Sequence, residues 1–274
     1  MEQSSGAVIR SYAKINLFLD VTKKRDDGYH EILSLFQNIS LYDRLIITKI
    51  DRGLEIKTNV DIENNILYKT WDVFSSNFKE PEFGLRIVLE KNIPMQAGLG
   101  GGSSNAAALL FYLSDQLKIP KNKIIKIAAK IGSDVPFFLI GGTAVVKGKG
   151  EIIEPLPPLL GYYVKLITAN GISTKEAYNL LNSTLFNKAP CSPYALYEAY
   201  YHRNIDEIKR CTYNIFEKVI AKQNREIAQN IKKLKKNSIV STLTGSGSAV
   251  YGISFREGDF NFVPRGVEYE EINI

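Results

Sequence analysis

The chain is poor in cysteine and histidine: among its 274 residues there are only two of each, the cysteines being Cys191 and Cys211. Neither stands in a C-x-x-C spacing or a histidine-rich neighbourhood, so the sequence indicates neither a disulfide framework nor a structural zinc site. Long apolar runs are missing too. The longest, Val135 to Val146, is interrupted by Gly141, Gly142 and Thr143, and it falls well short of the roughly 20 residues that cross a bilayer. The N-terminal stretch has no basic head before an apolar core, because Lys14, Asn16 and Asp20 break it up, so no export signal is read. A cytoplasmic protein with no membrane partner is the expectation.

What is present argues for a folded chain. A hydrophobic fraction of 45%, with 13 Phe and 15 Tyr, supplies enough apolar surface to offset the entropy of ordering, for one large core or two modest ones. A net charge of +6 suits a small anionic ligand as well as nucleic acid. The basic run IKKLKK, Ile231 to Lys236, reads as a solvated helix face, so no nucleic-acid partner is expected.

Alternating apolar residues predict a strand from Val8 to Val21, carrying Lys14 near its start. The charged, turn-rich KKRDDGYHEI, which reads as a functional loop, comes next, followed by the apolar run Ile32 to Leu41. Asp43–Ile50 and Gly53–Thr58 read as a hairpin, 64–78 as a helix and Phe83–Lys91 as a strand. The three prolines of EPLPPLLG suggest a crossing between lobes, with the boundary near residue 155. Beyond it, a strand at Tyr163–Thr168, helices over 174–236 and strands flanking TGSGSAVYGIS make an α+β lobe.

The densest glycine cluster is PMQAGLGGGSSNAAALL, with four glycines between Gly98 and Gly102, then Ser103, Ser104 and a helix to about Leu117. Bare backbone lets a ligand approach the main chain. A helix opening there adds unpaired N–H donors and the positive end of its dipole, which together suit phosphate. One serine would cap the helix and the other would offer its hydroxyl to a phosphate or to Mg2+. The plain alternative, a turn before an alanine-rich packing helix, is less favoured by this arrangement. The loop lacks the lysine of G-x-x-x-x-G-K-S/T, and no acidic residue ends a strand about 20 residues on, so neither a standard P-loop nor a dinucleotide fold fits.

PMQAGLGGGSSNAA resembles the central signature of the GHMP kinases. SYAKINLFLDVTKKRDDGYHEI, IGSDVPFFLIGG and LTGSGSAVYG stand around it in the family's order, from about residue 10 to 252. AKINLFL with GYHEI is similar to the branch that phosphorylates the 2-hydroxyl of a cytidine-diphosphate-linked methylerythritol in non-mevalonate isoprenoid synthesis. The resemblance implies an α+β, two-lobe GHMP fold: a ribosomal protein S5 domain 2-like, ATP-binding lobe over residues 1–155 and an α/β lobe on the substrate side over 156–274.

It implies ATP and Mg2+ as cofactors, with Lys14 and Asp134 as the catalytic pair. Pro94, Met95, Gln96, Ala97, Gly98, Leu99, Gly100, Gly101, Gly102, Ser103 and Ser104 would hold the ATP phosphates, with Asn65 and Lys91 near the adenine. Ser103 or Ser104 is the candidate metal ligand. Tyr29 and His30 match the cytosine-recognition pair, Asn16 and Phe36 lie around the same substrate, and Tyr178 would supply the second face of a cytosine sandwich. Gly245, Ser246 and Gly247 match the third glycine motif. Gln96 and Ala97 depart from the pattern, standing where some relatives have further glycines. The partner is a small-molecule substrate, and the assembly expected is a monomer or weak homodimer. Alternatives are another GHMP kinase acting on mevalonate, homoserine or a sugar, or a non-catalytic nucleotide- or RNA-binding protein.

Overall fold

The computed structural model describes residues 5–78, 81–169 and 173–273. The first half of the chain lays down strands β1 (Ser5–Lys24), β2 (His30–Ile50) and β3 (Leu54–Thr58), helix α1 (Ile66–Asn77) and strand β4 (Gly84–Glu90). Helices α2 (Gly101–Gln116), α3 (Lys121–Ile131) and α4 (Val135–Ile140) follow, then strands β5 (Thr143–Gly148) and β6 (Ile152–Leu156). The second half contains β7 (Tyr163–Ile167), α5 (Thr174–Asn179), α6 (Pro193–Tyr201), α7 (Ile205–Cys211), β8 (Tyr213–Asn214), α8 (Glu217–Gln223) and α9 (Arg225–Lys235). It ends with β9 (Val240–Leu243), β10 (Val250–Ser254), β11 (Phe260–Asn261) and β12 (Val267–Asn273).

One sheet runs β12-β1-β2-β4-β3, with β5 beside β2, β6 beside β5, and the short β8 parallel to β1. The other runs β11-β7-β10-β9. Residue 155 falls in β6, and the strands beyond it build the second sheet except β8 and β12, which return to β1. Helix α2 carries the core of the first half: Ala106, Ala107, Ala108, Leu109, Leu110 and Leu113 are all fully buried. Small side chains along it let β1, α1 and α4 approach closely.

Three expectations need correction. The loop expected at KKRDDGYHEI is shorter than read, because β1 runs to Lys24 and β2 begins at His30; only a tight turn at Arg25–Tyr29 remains, closed by Arg25 N–H on the Tyr29 carbonyl at 2.8 Å. Next, β2 and β3 do not form a hairpin: β4 lies between them, antiparallel to β2 and parallel to β3. The reason is burial. Leu85, Ile87 and Leu89 of β4 are all buried, whereas β3 alternates half-buried and exposed residues, so the more apolar strand takes the central place.

The third correction concerns the cysteines. Cys191 and Cys211 form a disulfide with their Cα atoms 5.2 Å apart, joining the segment before α6 to the end of α7. Twenty residues of separation carry no motif; packing of 187–191 along β1, where Asn187 and Ala189 bond to Val21 and Asp20, brings the pair together. Cysteine usage therefore gives no support to a cytoplasmic setting. The IKKLKK face is as read: Ile231 and Leu234 are buried, and Lys232, Lys233, Lys235 and Lys236 are exposed. No helix among the described residues is long and apolar enough to cross a membrane.

Closing a 20-residue loop restricts the unfolded chain by about 3 kcal/mol. Cys191→Ser, or thiol reduction of the native chain, should lower the unfolding free energy by about that amount. Denaturant titration with and without reductant measures it, and an unmoved midpoint would show that the crosslink carries no stability.

Candidate active site

The glycine loop leads from β4 into α2, and its geometry depends on missing Cβ atoms. Gly100 is the residue before the helix, at φ 73°; a Cβ there would stand 2.6 Å from the Phe138 ring and 3.3 Å from the Lys14 stem. Gly98, at φ 76°, lies against the turn between β9 and β10, where a Cβ would come within 2.2 Å of the Thr244 carbonyl oxygen. Gln96 holds φ 55° without being glycine, at one of the positions where the sequence departs from the glycine pattern.

The helix therefore starts at Gly101 rather than at the serines, and neither serine caps it. The first-turn amides of Gly101, Gly102 and Ser103 have no acceptor within the helix and sit at the positive end of its dipole. Ser104 is fully buried and donates to the Tyr12 carbonyl at 2.7 Å, whereas half-buried Ser103 faces the cavity.

That cavity, about 1020 Å³, is lined by Pro94 through Ser103, Lys14, Asn16, Tyr29, His30, Phe36, Asn65, Lys91, Asp134, Tyr178, Gly245 and Ser246. Of the residues singled out in the sequence, Ser104 and Gly247 do not line it. Lys149, Lys175, Thr174 and Asn105 do line it and were not singled out. For α5 a signal existed. Ser173 and Glu176 form a capping box that starts the helix, and helical spacing then puts Thr174 and Lys175 on the same side as Tyr178 and Asn179.

Lys14 is buried, and its Nζ donates to Asn16 Oδ1 at 2.7 Å while lying 4.7 Å from the centre of the Phe36 ring. Burial pushes the ammonium below the ordinary lysine range, and the negative charge of Asp134 opposes that shift. Asp134 stands at the start of α4 and makes no capping bond with its side chain. It is half-buried and faces the cavity.

Asn16 joins distant parts of the chain. Its Oδ1 also accepts from the Gly245 amide at 2.8 Å and from the Thr244 hydroxyl at 3.2 Å, and its Nδ2 donates to Ser34 at 3.0 Å. A bulge in β1, where Asn16 pairs with Phe36 and Phe18 with Leu35, sits at this point.

Also lining the cavity, His30 stacks on Tyr178 with ring centres 4.8 Å apart, and Tyr178 meets Phe216 edge-on. Burial, with the Lys24 charge, holds His30 below its usual range, so near neutral pH the imidazole has one N–H donor and one acceptor nitrogen. Tyr29 is 57% exposed, with the Lys149 ammonium 4.8 Å from its ring centre. On the helix side, Asn65 caps α1 by accepting from the Leu67 amide at 3.1 Å, and the buried Lys91 ammonium pairs with Asp43.

Comparisons with known proteins agree with this layout. The GHMP kinases N terminal domain matches residues 65–142 and the GHMP kinases C terminal domain matches 195–270. A 4-diphosphocytidyl-2-C-methyl-D-erythritol kinase of Thermosipho africanus is 71% identical over 275 residues, covering 100% of both chains. One from Thermotoga maritima is 46% identical over 264 residues, covering 95% of this chain and 97% of that one. A crystal structure of 4-(cytidine 5'-diphospho)-2C-methyl-D-erythritol kinase superposes with a TM-score of 0.77 at 31% identity, over 90% of each chain. With a glycine loop at a helix N-terminus, a buried lysine facing an aspartate and this likeness along its whole length, the chain belongs to the 4-diphosphocytidyl-2-C-methyl-D-erythritol kinase family of GHMP kinases, which are ATP-dependent phosphotransferases.

Proposed function

We propose that the enzyme transfers the γ-phosphoryl group of ATP to the 2-hydroxyl of 4-diphosphocytidyl-2-C-methyl-D-erythritol. The observation that carries this reading is one cavity lined together by the glycine loop, an aromatic and imidazole cluster, Lys14 and Asp134. The hydroxyl oxygen attacks the γ-phosphorus, the bond to the bridging oxygen breaks, and ADP leaves. Asp134 takes the hydroxyl proton. Lys14, anchored on Asn16, orients the hydroxyl.

The loop amides and the α2 dipole would hold the donor phosphates. Among the described residues no three carboxylates, histidines or cysteines gather as a metal site. Magnesium would therefore be carried mainly by ATP oxygens and water, with the Ser103 hydroxyl as a protein donor, and it would neutralise phosphate charge. Tyr29 and Tyr178 would flank the cytosine, with His30 reading its polar edge. Residues 1–155 would carry the donor side, and 156–274 would close the acceptor side through Tyr178, Gly245 and Ser246. The assembly proposed is a monomer or weak homodimer.

A coupled ADP-release assay offering this acceptor beside mevalonate and homoserine tests the reading; turnover with only the latter two would overturn it. Asp134→Ala should lower kcat by about 10²–10⁴-fold, and near-native turnover would remove Asp134 from the chemistry. Tyr29→Ala should raise the acceptor KM by about tenfold, the scale of one base stacked on an aromatic ring, with the ATP KM unmoved. An unchanged acceptor KM would remove Tyr29 from the acceptor site. The protonated form of Lys14 is the active one and burial lowers its pKa, so kcat should fall on the alkaline side at a pH below the ordinary lysine value. In Lys14→Arg, whose guanidinium stays charged, that limb should vanish from the pH profile of the remaining activity; its persistence would assign the limb to another group.

A further inference from the structure

The Lys91 ammonium occupies a place where a cation is disfavoured. A Cβ on Gly101, the first residue of α2, would stand 2.9 Å from Lys91 Nζ, so the charge lies beside the positive end of the helix dipole. Asp43 on β2 offsets it. Its side chain is fully buried, one carboxylate oxygen accepts from Lys91 Nζ, and the other accepts from the amides of Asn92 and Ile93, both at 2.8 Å. The Lys91 backbone is clamped separately: its amide donates to Asn59 Oδ1 at 2.8 Å, and its carbonyl accepts from Asn59 Nδ2 at 3.3 Å. These donors to the Asp43 side chain belong to the three residues that lead through Ile93 into Pro94 and the glycine loop. Asp43 itself does not line the cavity, whereas Lys91 does.

We infer that Asp43 is a positioning residue for the phosphoryl donor, fixing through Lys91 and the 92–93 amides both a cation and the entry of the loop that receives the ATP phosphates. The inference rests on the proposed role of that loop. Lys91 stands at the first turn of α2, on the phosphate side rather than at the adenine first read for it, and an ammonium has three N–H donors, so it can keep Asp43 and still turn another donor toward a phosphate oxygen. A phosphate there would also satisfy the free amides of the first α2 turn, and the helix end would then hold an anion as its dipole favours. Asp43→Asn separates these functions. Its carboxamide oxygen can still accept from the two amides, but it has no charge, and its NH2 cannot accept from the ammonium.

Initial rates of the full-length enzyme, with ATP and acceptor varied in turn, test this for Asp43→Asn, Lys91→Met and the double variant. Loss of a charge-assisted bond predicts that Asp43→Asn raises the ATP KM by about tenfold or more. The acceptor KM should stay unchanged, and the double variant should be less impaired than the product of the single effects. An unchanged ATP KM, a parallel rise in both KM values, or fully multiplicative effects would overturn the inference. If Asp43→Asn does not fold, Lys91→Met decides alone: a raised ATP KM supports the inference, and an unchanged one refutes it. Failure of the native enzyme to phosphorylate the acceptor at all would instead refute the proposed function, so the two failures are distinguishable.

Discussion

Two glycine turns far apart in the chain meet backbone against backbone, and the site depends on that contact. The Thr244 carbonyl occupies the space that a side chain on Gly98 would need, and a Cβ on Gly245 would approach Gly98 Cα to 3.1 Å. The Ala249 amide donates to the Ala97 carbonyl at 3.2 Å, and the Thr244 hydroxyl lies 3.2 Å from the Gly98 carbonyl oxygen. Interiors are close-packed, so a methyl group at this junction would have to move one loop or the other. The glycine loop therefore takes its shape from the second half of the chain as much as from its own glycines.

Asn16 continues the junction into the chemistry. Its side chain takes donors from Lys14, the Gly245 amide and the Thr244 hydroxyl, so the buried ammonium is oriented by the turn that supports the glycine loop. A buried charge is costly unless it is bonded and compensated. Here Asn16 supplies the bond and Asp134 the opposite charge, while Phe36 covers the ammonium. The same logic recurs at Lys91, where a fully buried carboxylate compensates a cation next to a helix start.

Much of the layout was legible because it rests on local rules. The spacing of β1, the extent of α1, the glycine loop opening α2 and the lysine face of α9 all follow from patterns within a few residues. Strand order was not legible. Whether β3 pairs with β2 depends on β4 arriving from some thirty residues later with a more apolar surface. Site residues gathered by motif mostly line one cavity, but Ser104 turned inward, because α2 begins three residues before it at Gly101 and its hydroxyl meets the Tyr12 carbonyl. Asp43 carries no local signal at all: it is one acidic residue in a strand until β4 brings Lys91 beside it.

By itself, the sequence determined the kinase family, the glycine loop and which lysine, aspartate, tyrosine and histidine the family motifs mark, since each is written in a short contiguous stretch. Only the tertiary structure decided which hydroxyl faces the cavity, which carboxylate holds Lys91, that Cys191 and Cys211 are joined, and that α5 stacks Tyr178 on His30. These depend on which surfaces bury each other when the chain condenses. Burial is a property of the whole packed molecule, and no stretch of sequence contains it.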